Sequence, residues 1–270
     1  MRRLSLVMGL VLTGLMVAAA LVSLVWTPDD PYLVRPQERF LAPSWSHWLG
    51  TDRMGIDLVS RLMVGARTTL MVGVIAVCLA IIVGVPLGVI SGIRRGWPSQ
   101  LLLRISDIMF ALPALLLAIL LVAVRGASVA TATWAIGIAT VPVFIRMAHA
   151  ATLSVMAQDF IDAARSCGAS PSAIALRHVL PNIAPIVGVQ ASASFSTAIL
   201  AEAGLSYLGL AAPATTPTWG RMMRDGQADL FLTAWPALTP GLAIALAVLG
   251  FNLLGDGLRD QLDPRLREFR

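Results

Sequence analysis

The chain has 270 residues, of which 57% are hydrophobic and only 13% are charged, with a formal net charge of +5. Soluble domains carry about 25% charged residues, and several apolar runs here reach the ~20 residues that cross the hydrocarbon core of a bilayer. The composition therefore excludes a soluble domain and predicts an all-α, polytopic protein of the lipid bilayer. The basic residues lie between apolar runs, where they set topology, so we expect no nucleic-acid partner.

All 20 basic residues are arginines. A Walker A loop needs a lysine, and so does Schiff-base chemistry, so neither belongs to this chain. Cys78 lies in an apolar run and Cys167 in a polar one, which argues against a disulfide. His47, His149 and His178 are far apart in sequence, and no zinc-protease or serine-hydrolase signature is present. We expect no enzyme activity, no catalytic residue, no metal site and no cofactor bound by this chain.

Six apolar runs predict about six transmembrane helices. A retained first helix is favoured over a cleaved signal peptide, because the apolar core of a signal peptide is only 7–15 residues long. The predicted spans are residues 4–26, 68–90, 101–124, 130–148, 186–205 and 236–254.

The arginines also predict the orientation of these helices. With a cytoplasmic N-terminus, twelve of the 20 arginines lie in inner segments and eight in outer ones, which is the direction of the positive-inside rule. Both termini are then cytoplasmic. The chain divides into a first helix (1–26), an extracytoplasmic segment (27–66), a five-helix core (67–258) and a cytoplasmic tail (259–270). Within the core, residues 159–182 form an inner loop and residues 206–235 an irregular outer loop.

The inner loop, DFIDAARSCGASPSAIALRHVLPN, is polar in a mostly apolar chain. Gly168 predicts the left-handed residue that ends a first short helix. Ser170 and Pro171 predict the N-cap and first residue of a second helix, which Pro181 and Pro185 should end. Such capping is typical of a rigid docking platform, although an ordinary connector between spans remains the alternative.

Polar side chains in the fifth span are candidates for a substrate path. Ser192 and Ser196 either line that path or hydrogen-bond to a neighbouring helix. Glu202 is an ionisable residue within a span, which is a functional hypothesis by default. Substrate contact, gating and a structural ion pair stay open for Glu202, with the ion pair favoured.

Three further predictions concern charged residues near the ends of spans. Arg104 and Asp107 are three residues apart at the start of the third span and are expected to pair. Arg146, at the end of the fourth span, is expected to extend to the headgroups. Residues 57–67 are expected to form a short helix on the outer surface, before the second span.

The motif DAARSCG followed by RHVLPN resembles the Glu-Ala-Ala loop of ATP-binding-cassette importer permeases. That family pattern is Glu-Ala-Ala, then Gly, then Leu-Pro, and its counterparts here are Asp162, Ala163, Ala164, Gly168, Leu180 and Pro181. Aspartate replaces glutamate, and His178 stands where the family often has isoleucine. In the family this loop is the coupling helix that sits in a cleft on the cytoplasmic ATPase. The resemblance implies an ATPase-docking set of Asp162, Ala163, Ala164, Arg165, Gly168, Ala169, Ser170 and Pro171.

Other stretches sharpen this resemblance. HWLGTDRMGIDLVSRLMVGARTTL, SDIMFALPALLLA, AILAEAGLSYLGL, TPTWGRMM and FNLLGDGLRDQLDP are similar to the C-type permease subunits of dipeptide, oligopeptide and nickel importers. Together they extend over about residues 45–264.

The resemblance implies a bacterial inner-membrane subunit that forms half of the translocation pathway of an ATP-driven importer. Its expected partners are a second permease subunit, ATP-binding subunits that hold ATP and Mg²⁺, and an extracytoplasmic substrate-binding protein. Di- or oligopeptides are the expected cargo, with nickel complexes, glutathione or another small solute as alternatives. An ATP-independent channel or carrier is the alternative of another class. A carrier predicts inverted repeats, and the sequence shows no convincing one.

Overall fold

A computed structural model describes residues 2–94, 96–213 and 215–262, except for the side chains of residues 2–4 and 262. Within these ranges the chain is helical, with one isolated β-bridge between Thr51 and Asp57. The α-helices are α1 (Arg2–Val22), α2 (Leu58–Ile93), α3 (Trp97–Ala111), α4 (Ala114–Arg125), α5 (Val129–Met156), α6 (Asp159–Ser166), α7 (Pro171–Ile174), α8 (Leu180–Tyr207), α9 (Trp219–Gln227) and α10 (Trp235–Leu262). A 3₁₀ turn spans Pro36–Glu38, and a π turn, Ala175–Val179, joins α7 to α8.

Among the described residues, five helical segments are long and apolar enough to cross a membrane, and the bent pair of α3 and α4 is a sixth if the two helices form one span. This confirms the predicted all-α, six-span architecture. The third span is broken, however, with an angle of 91° between α3 and α4. Leu112 and Pro113 separate the two helices in extended conformations, since a proline disfavours helical geometry in the residue before it.

The second span differs from the prediction. Helix α2 runs without a break for 36 residues, or about 54 Å. The prediction of a separate surface helix over residues 57–67 is therefore wrong. Asp57 caps α2 by accepting a hydrogen bond from the Ser60 amide at 2.8 Å. No helix-breaking residue follows before Pro86, and polar composition alone does not show where a helix enters the bilayer.

The core forms where α2 packs on α5 through small residues. A Cβ added at Gly88 would lie 2.6 Å from the Ile145 carbonyl oxygen, and one added at Gly92 would lie 2.6 Å from a Thr152 methyl group. Small residues let membrane helices approach this closely. Phe144 and Ala148 of α5 are fully buried in this contact.

The helices define two ends of the molecule. Helix α10 runs antiparallel to α8, because Ser192 bonds to Phe251 and Ser196 to Val248. Helix α1 lies antiparallel to α10, with Gly9 against Leu254. The start of α1, the end of α10 and residues 159–182 therefore share one end, called here the polar-segment end.

The opposite end, called here the irregular end, consists of residues 27–57 and 208–234, of which residue 214 is not described. The sequence predicted its second part as irregular, but it contains α9, which Thr218 caps by accepting from the Arg221 amide. At the other end of the molecule α10 continues to Leu262, past the predicted start of the tail at residue 259. The remainder of the tail, 263–270, lies outside the described residues.

Candidate functional site

The polar segment, residues 159–182, forms the two short helices that its sequence predicts. Gly168 adopts a φ of +82°, and its amide donates to the Arg165 carbonyl at 2.9 Å. Ser170 then caps α7 by accepting from the Ala173 amide at 3.2 Å. The predicted bend and the predicted cap are both confirmed.

The end of the second short helix was predicted wrongly. Neither Pro181 nor Pro185 stops it, because the chain continues through the π turn into α8 and forms one span over Pro171–Tyr207. The wider π turn gives a proline ring more room. The Asn182 side chain also donates to the His178 carbonyl at 2.7 Å, which satisfies one acceptor at this irregularity.

One face of the polar segment is anchored and the other is open. Ile161, Ile174 and Val179 are buried in the core, and the Phe160 and His178 rings pack 6.0 Å apart. Within the predicted docking set, Ala164 and Ala169 are half-buried; the exposed members are Asp162, Ala163, Arg165, Gly168, Ser170 and Pro171. The structure therefore brings this set together on one rigid, small-residue surface.

The open face carries little charge of its own. Asp162 and Arg165 pair across one helical turn at 3.0 Å, and exposed pairs of this kind contribute little stability. A Cβ built at Gly168 meets nothing within 4 Å. The surface is thus sterically free for a partner to approach.

The serines predicted for a substrate path lie between α8 and α10. Ser192 donates to the Phe251 carbonyl at 2.6 Å, and Ser196 donates to the Val248 carbonyl at 3.3 Å. Both are buried. This is the helix–helix bonding that the sequence left as the alternative, and their place in a substrate path stays a prediction.

Glu202 forms no ion pair with any of the described residues, so the favoured interpretation of this side chain was wrong. It is only 1% exposed. Its carboxyl oxygens accept from Thr69 of α2 at 3.2 Å and from Ser206 of α8 at 2.7 Å. The local sequence cannot show that a hydroxyl of α2, 133 residues away, faces this carboxyl.

A charged pair within the spans escaped the sequence analysis. Asp107 does not pair with Arg104 as predicted; its Oδ1 lies 3.6 Å from Arg146 Nη1. The guanidinium also lies 4.9 Å from the Phe110 ring centre, so Arg146 contacts α3, and its extension to the headgroups stays a prediction. The pair forms because α3 packs on α5. The sequence did contain a signal for this pair, because Asp107 and Arg146 are opposite charges in neighbouring predicted spans.

The irregular end holds a second polar cluster. His47 is buried, with Nδ1 3.1 Å from Asp57 Oδ1 and Nε2 3.7 Å from a Glu38 carboxyl oxygen. Asp57 also accepts from the hydroxyl of Ser60 at 2.8 Å. Among the described residues, no group of three or more histidine, cysteine or acidic side chains is arranged to hold a metal ion. Cys78 and Cys167 are both exposed and free.

A cavity of about 310 Å³ opens beside this cluster, between the segment before α2 and helix α9. Arg61 pairs with Asp52 at 2.6 Å, and Arg221 lies 3.8 Å from Asp225. The Nε atoms of both arginines are buried and form no hydrogen bond with the described residues. The irregular end thus presents a charged recess, whereas the polar-segment end has a mostly apolar recess of about 450 Å³ between the end of α2 and the segment from α7 to the π turn.

These features define a multi-pass helical membrane protein with a rigid, partner-accessible element at one end. The family model described as "Binding-protein-dependent transport system inner membrane component" matches residues 84–268, so the chain belongs to that family. It is a permease subunit of an ATP-binding-cassette importer of the dipeptide and oligopeptide type. Membership implies ATPase and binding-protein partners and a multi-pass place in the inner membrane.

Two relatives illustrate the match. The chain is 45% identical over 225 residues to the glutathione transport system permease protein GsiD of Shigella flexneri, covering 83% of this chain and 74% of that protein. It is 42% identical over 262 residues to the dipeptide transport system permease protein DppC of Alkalihalophilus pseudofirmus, covering 97% and 86% of the two chains.

A solved structure supports the fold. A chain of the inward-facing MetNI methionine ABC transporter superposes with a TM-score of 0.62, at 19% identity, over 74% of this chain and 95% of that chain. At this identity the similarity describes the architecture alone.

Proposed function

We propose that this permease imports di- or oligopeptides and forms half of the translocation pathway together with a second permease subunit. ATP and Mg²⁺ are held by separate ATPase subunits, and this chain binds no cofactor of its own. The polar segment is the ATPase-docking element. The polar-segment end and both termini face the cytoplasm, and the irregular end faces the substrate-binding protein.

The observation that carries the docking proposal is the construction of residues 159–182. Buried Ile161, Ile174 and Val179 fix the segment to the core, while the exposed face combines small side chains around the open bend at Gly168 with the Asp162–Arg165 pair. Rigid elements of this kind transmit motion between subunits. Because α7 continues into α8, a force on the docking face is delivered directly to a membrane span.

The peptide cargo is supported by the named relatives. One is a dipeptide permease and another a glutathione permease, and glutathione is itself a tripeptide. A short peptide is therefore the chemistry that the two cargoes share. Nickel complexes and other small solutes are alternative cargoes for the same machine.

The first experiment tests docking by co-purification. The chain is expressed with its companion genes, tagged and isolated in mild detergent, and the ATPase that remains bound is quantified. We expect Ala163→Arg to release the ATPase, because Ala163 lies on the exposed docking face. The matched control is Ala228→Arg, which changes an alanine that is also exposed but lies at the irregular end. An ATPase retained equally by both variants contradicts the docking proposal.

The second experiment tests the cargo. The whole complex in proteoliposomes is supplied with its binding protein and with labelled dipeptide, glutathione or a nickel complex, with and without ATP inside. We expect ATP-dependent peptide uptake. Uptake of nickel alone replaces the cargo assignment, and peptide uptake that ignores ATP favours a channel or carrier.

A further inference from the structure

The charged pair Arg146–Asp107 lies at a depth where charges are costly. Helix α5 has 28 residues and is about 42 Å long, whereas the hydrocarbon core is about 30 Å thick, or ~20 helical residues. Arg146 lies 17 residues after Val129 and 10 before Met156. Every 20-residue hydrocarbon segment that lies wholly within α5 therefore contains Arg146, at a position between the middle of that segment and two residues from its end.

The pair points away from the interior of the chain. The side chains of Arg146 and Asp107 are each 51% exposed, while Phe144 and Ile145, the neighbours of Arg146, are buried. Charged side chains inside a bilayer do not face lipid; they face protein or a water-filled path. The surface formed by α3 and α5 around this pair is therefore covered by something other than hydrocarbon.

The pair also has unused bonding capacity. The 3.6 Å between Arg146 Nη1 and Asp107 Oδ1 exceeds hydrogen-bond length, and neither side chain forms a hydrogen bond within the described part of the chain. A guanidinium carries five N–H donors, and a carboxylate has about four acceptor positions. The ring of Phe110 covers one side of the guanidinium at 4.9 Å. Each charge is thus held in place and still free to bind a ligand of opposite charge.

We propose that Arg146 and Asp107 form a binding site for the charged termini of a peptide in the translocation pathway, which rests on the proposed peptide cargo. Arg146 binds the peptide carboxylate, since guanidinium and carboxylate form paired hydrogen bonds. Asp107 binds the ammonium group. A short peptide is a zwitterion, so a pair of opposite fixed charges matches it without adding net charge to the pathway.

The test uses the whole importer in proteoliposomes with saturating, peptide-loaded binding protein. The variants are Arg146→Gln, Asp107→Asn and the double neutral variant. We expect each single change to slow peptide uptake by at least about tenfold, the loss expected for a charge-assisted hydrogen bond. The double variant should be at least as slow as either single one, while the second permease and the ATPase remain bound.

The double variant separates a substrate site from a merely structural pair. If the two charges only hold α3 on α5, removing both leaves no unpaired charge, and uptake recovers relative to the single variants; that result overturns the proposal. Loss of the second permease from the single variants also overturns it, because the charges then serve the subunit interface. Peptide uptake that is unchanged in all three variants overturns the binding site and leaves the proposed peptide cargo standing. A wild-type complex that takes up no peptide overturns both the proposed cargo and the binding site.

Discussion

The two ends of the molecule are built in different ways. At the polar-segment end, the bend and the cap are made by residues within five positions of each other, such as Gly168 and Ser170. At the irregular end, the contacts join distant parts of the chain: the indole of Trp219 donates to the carbonyl of Leu62 at 2.9 Å, 157 residues away. Changes at the first end should therefore impair function and leave the fold intact, whereas changes at the second should destabilise the fold.

The largest expected effect is the loss of uptake in Gly168→Pro. Proline holds φ near −65° and cannot adopt the φ of +82° at this position. The docking face is then deformed, although nothing packs within 4 Å of an added Cβ there. We expect normal membrane insertion and melting, with ATP hydrolysis uncoupled from uptake in proteoliposomes. Gly168→Asn is the control, because asparagine tolerates left-handed backbone; normal uptake by the proline variant contradicts the docking role.

Gly220→Ala should give the largest loss of stability. The added Cβ would lie 2.0 Å from the Ala203 carbonyl oxygen, and two backbones cannot separate without disturbing α8 and α9. Overpacking of this kind costs about 3 kcal/mol, measured as a lower unfolding midpoint in detergent. Gly188→Ala is the matched control, since nothing lies within 4 Å of its added Cβ. Equal midpoints for the two variants would refute the close approach of α9 to α8.

Ser60→Ala should have an intermediate effect. The buried hydroxyl of Ser60 accepts from the Asp29 amide at 3.0 Å and donates to Asp57 at 2.8 Å. Its loss leaves buried partners unsatisfied, at a cost of about 2 kcal/mol. Ser172→Ala, at an exposed position of the polar segment, should leave the midpoint unchanged. A shift of the same size in both variants would show that removing a serine hydroxyl destabilises the two ends equally.

The smallest effect concerns pH. The hydrogen bond from the Arg35 side chain lowers the pKa of Asp29 below its ordinary value of 3.8. A lowered carboxyl pKa stabilises the folded state above the ordinary pKa, and this stabilisation is lost as pH falls through the lower folded value. Amide hydrogen exchange of residues 27–41 should therefore accelerate in acid. Asp29→Asn should remove that acceleration, and an unchanged pH profile in the variant would assign it to other groups.

The same contrast explains what the sequence could predict. The left-handed Gly168 and the cap at Ser170 were predicted correctly because each depends on a few neighbouring residues. The partners of Asp107 and Glu202 were predicted wrongly because they depend on which helices meet, and those contacts join Arg146 to α3 and Thr69 to α8.

Helix ends were predicted less well for a related reason. Pro181 signals the end of a helix in isolation, but a π turn accommodates it here. The continuous α2 was divided at residue 67 because polarity marks contact with water and does not mark the end of a helix.

The unbroken path from α7 into α8 has a mechanical consequence. The span Pro171–Tyr207 contains 37 residues and is about 55 Å long. Such a rod can turn as one body about the end that is proposed to dock on the ATPase. A tilt of about 5° at the docked end displaces the far tip by roughly 5 Å, close to one helical turn. Glu202 and its bonds to α2 lie near that tip, where the displacement is largest.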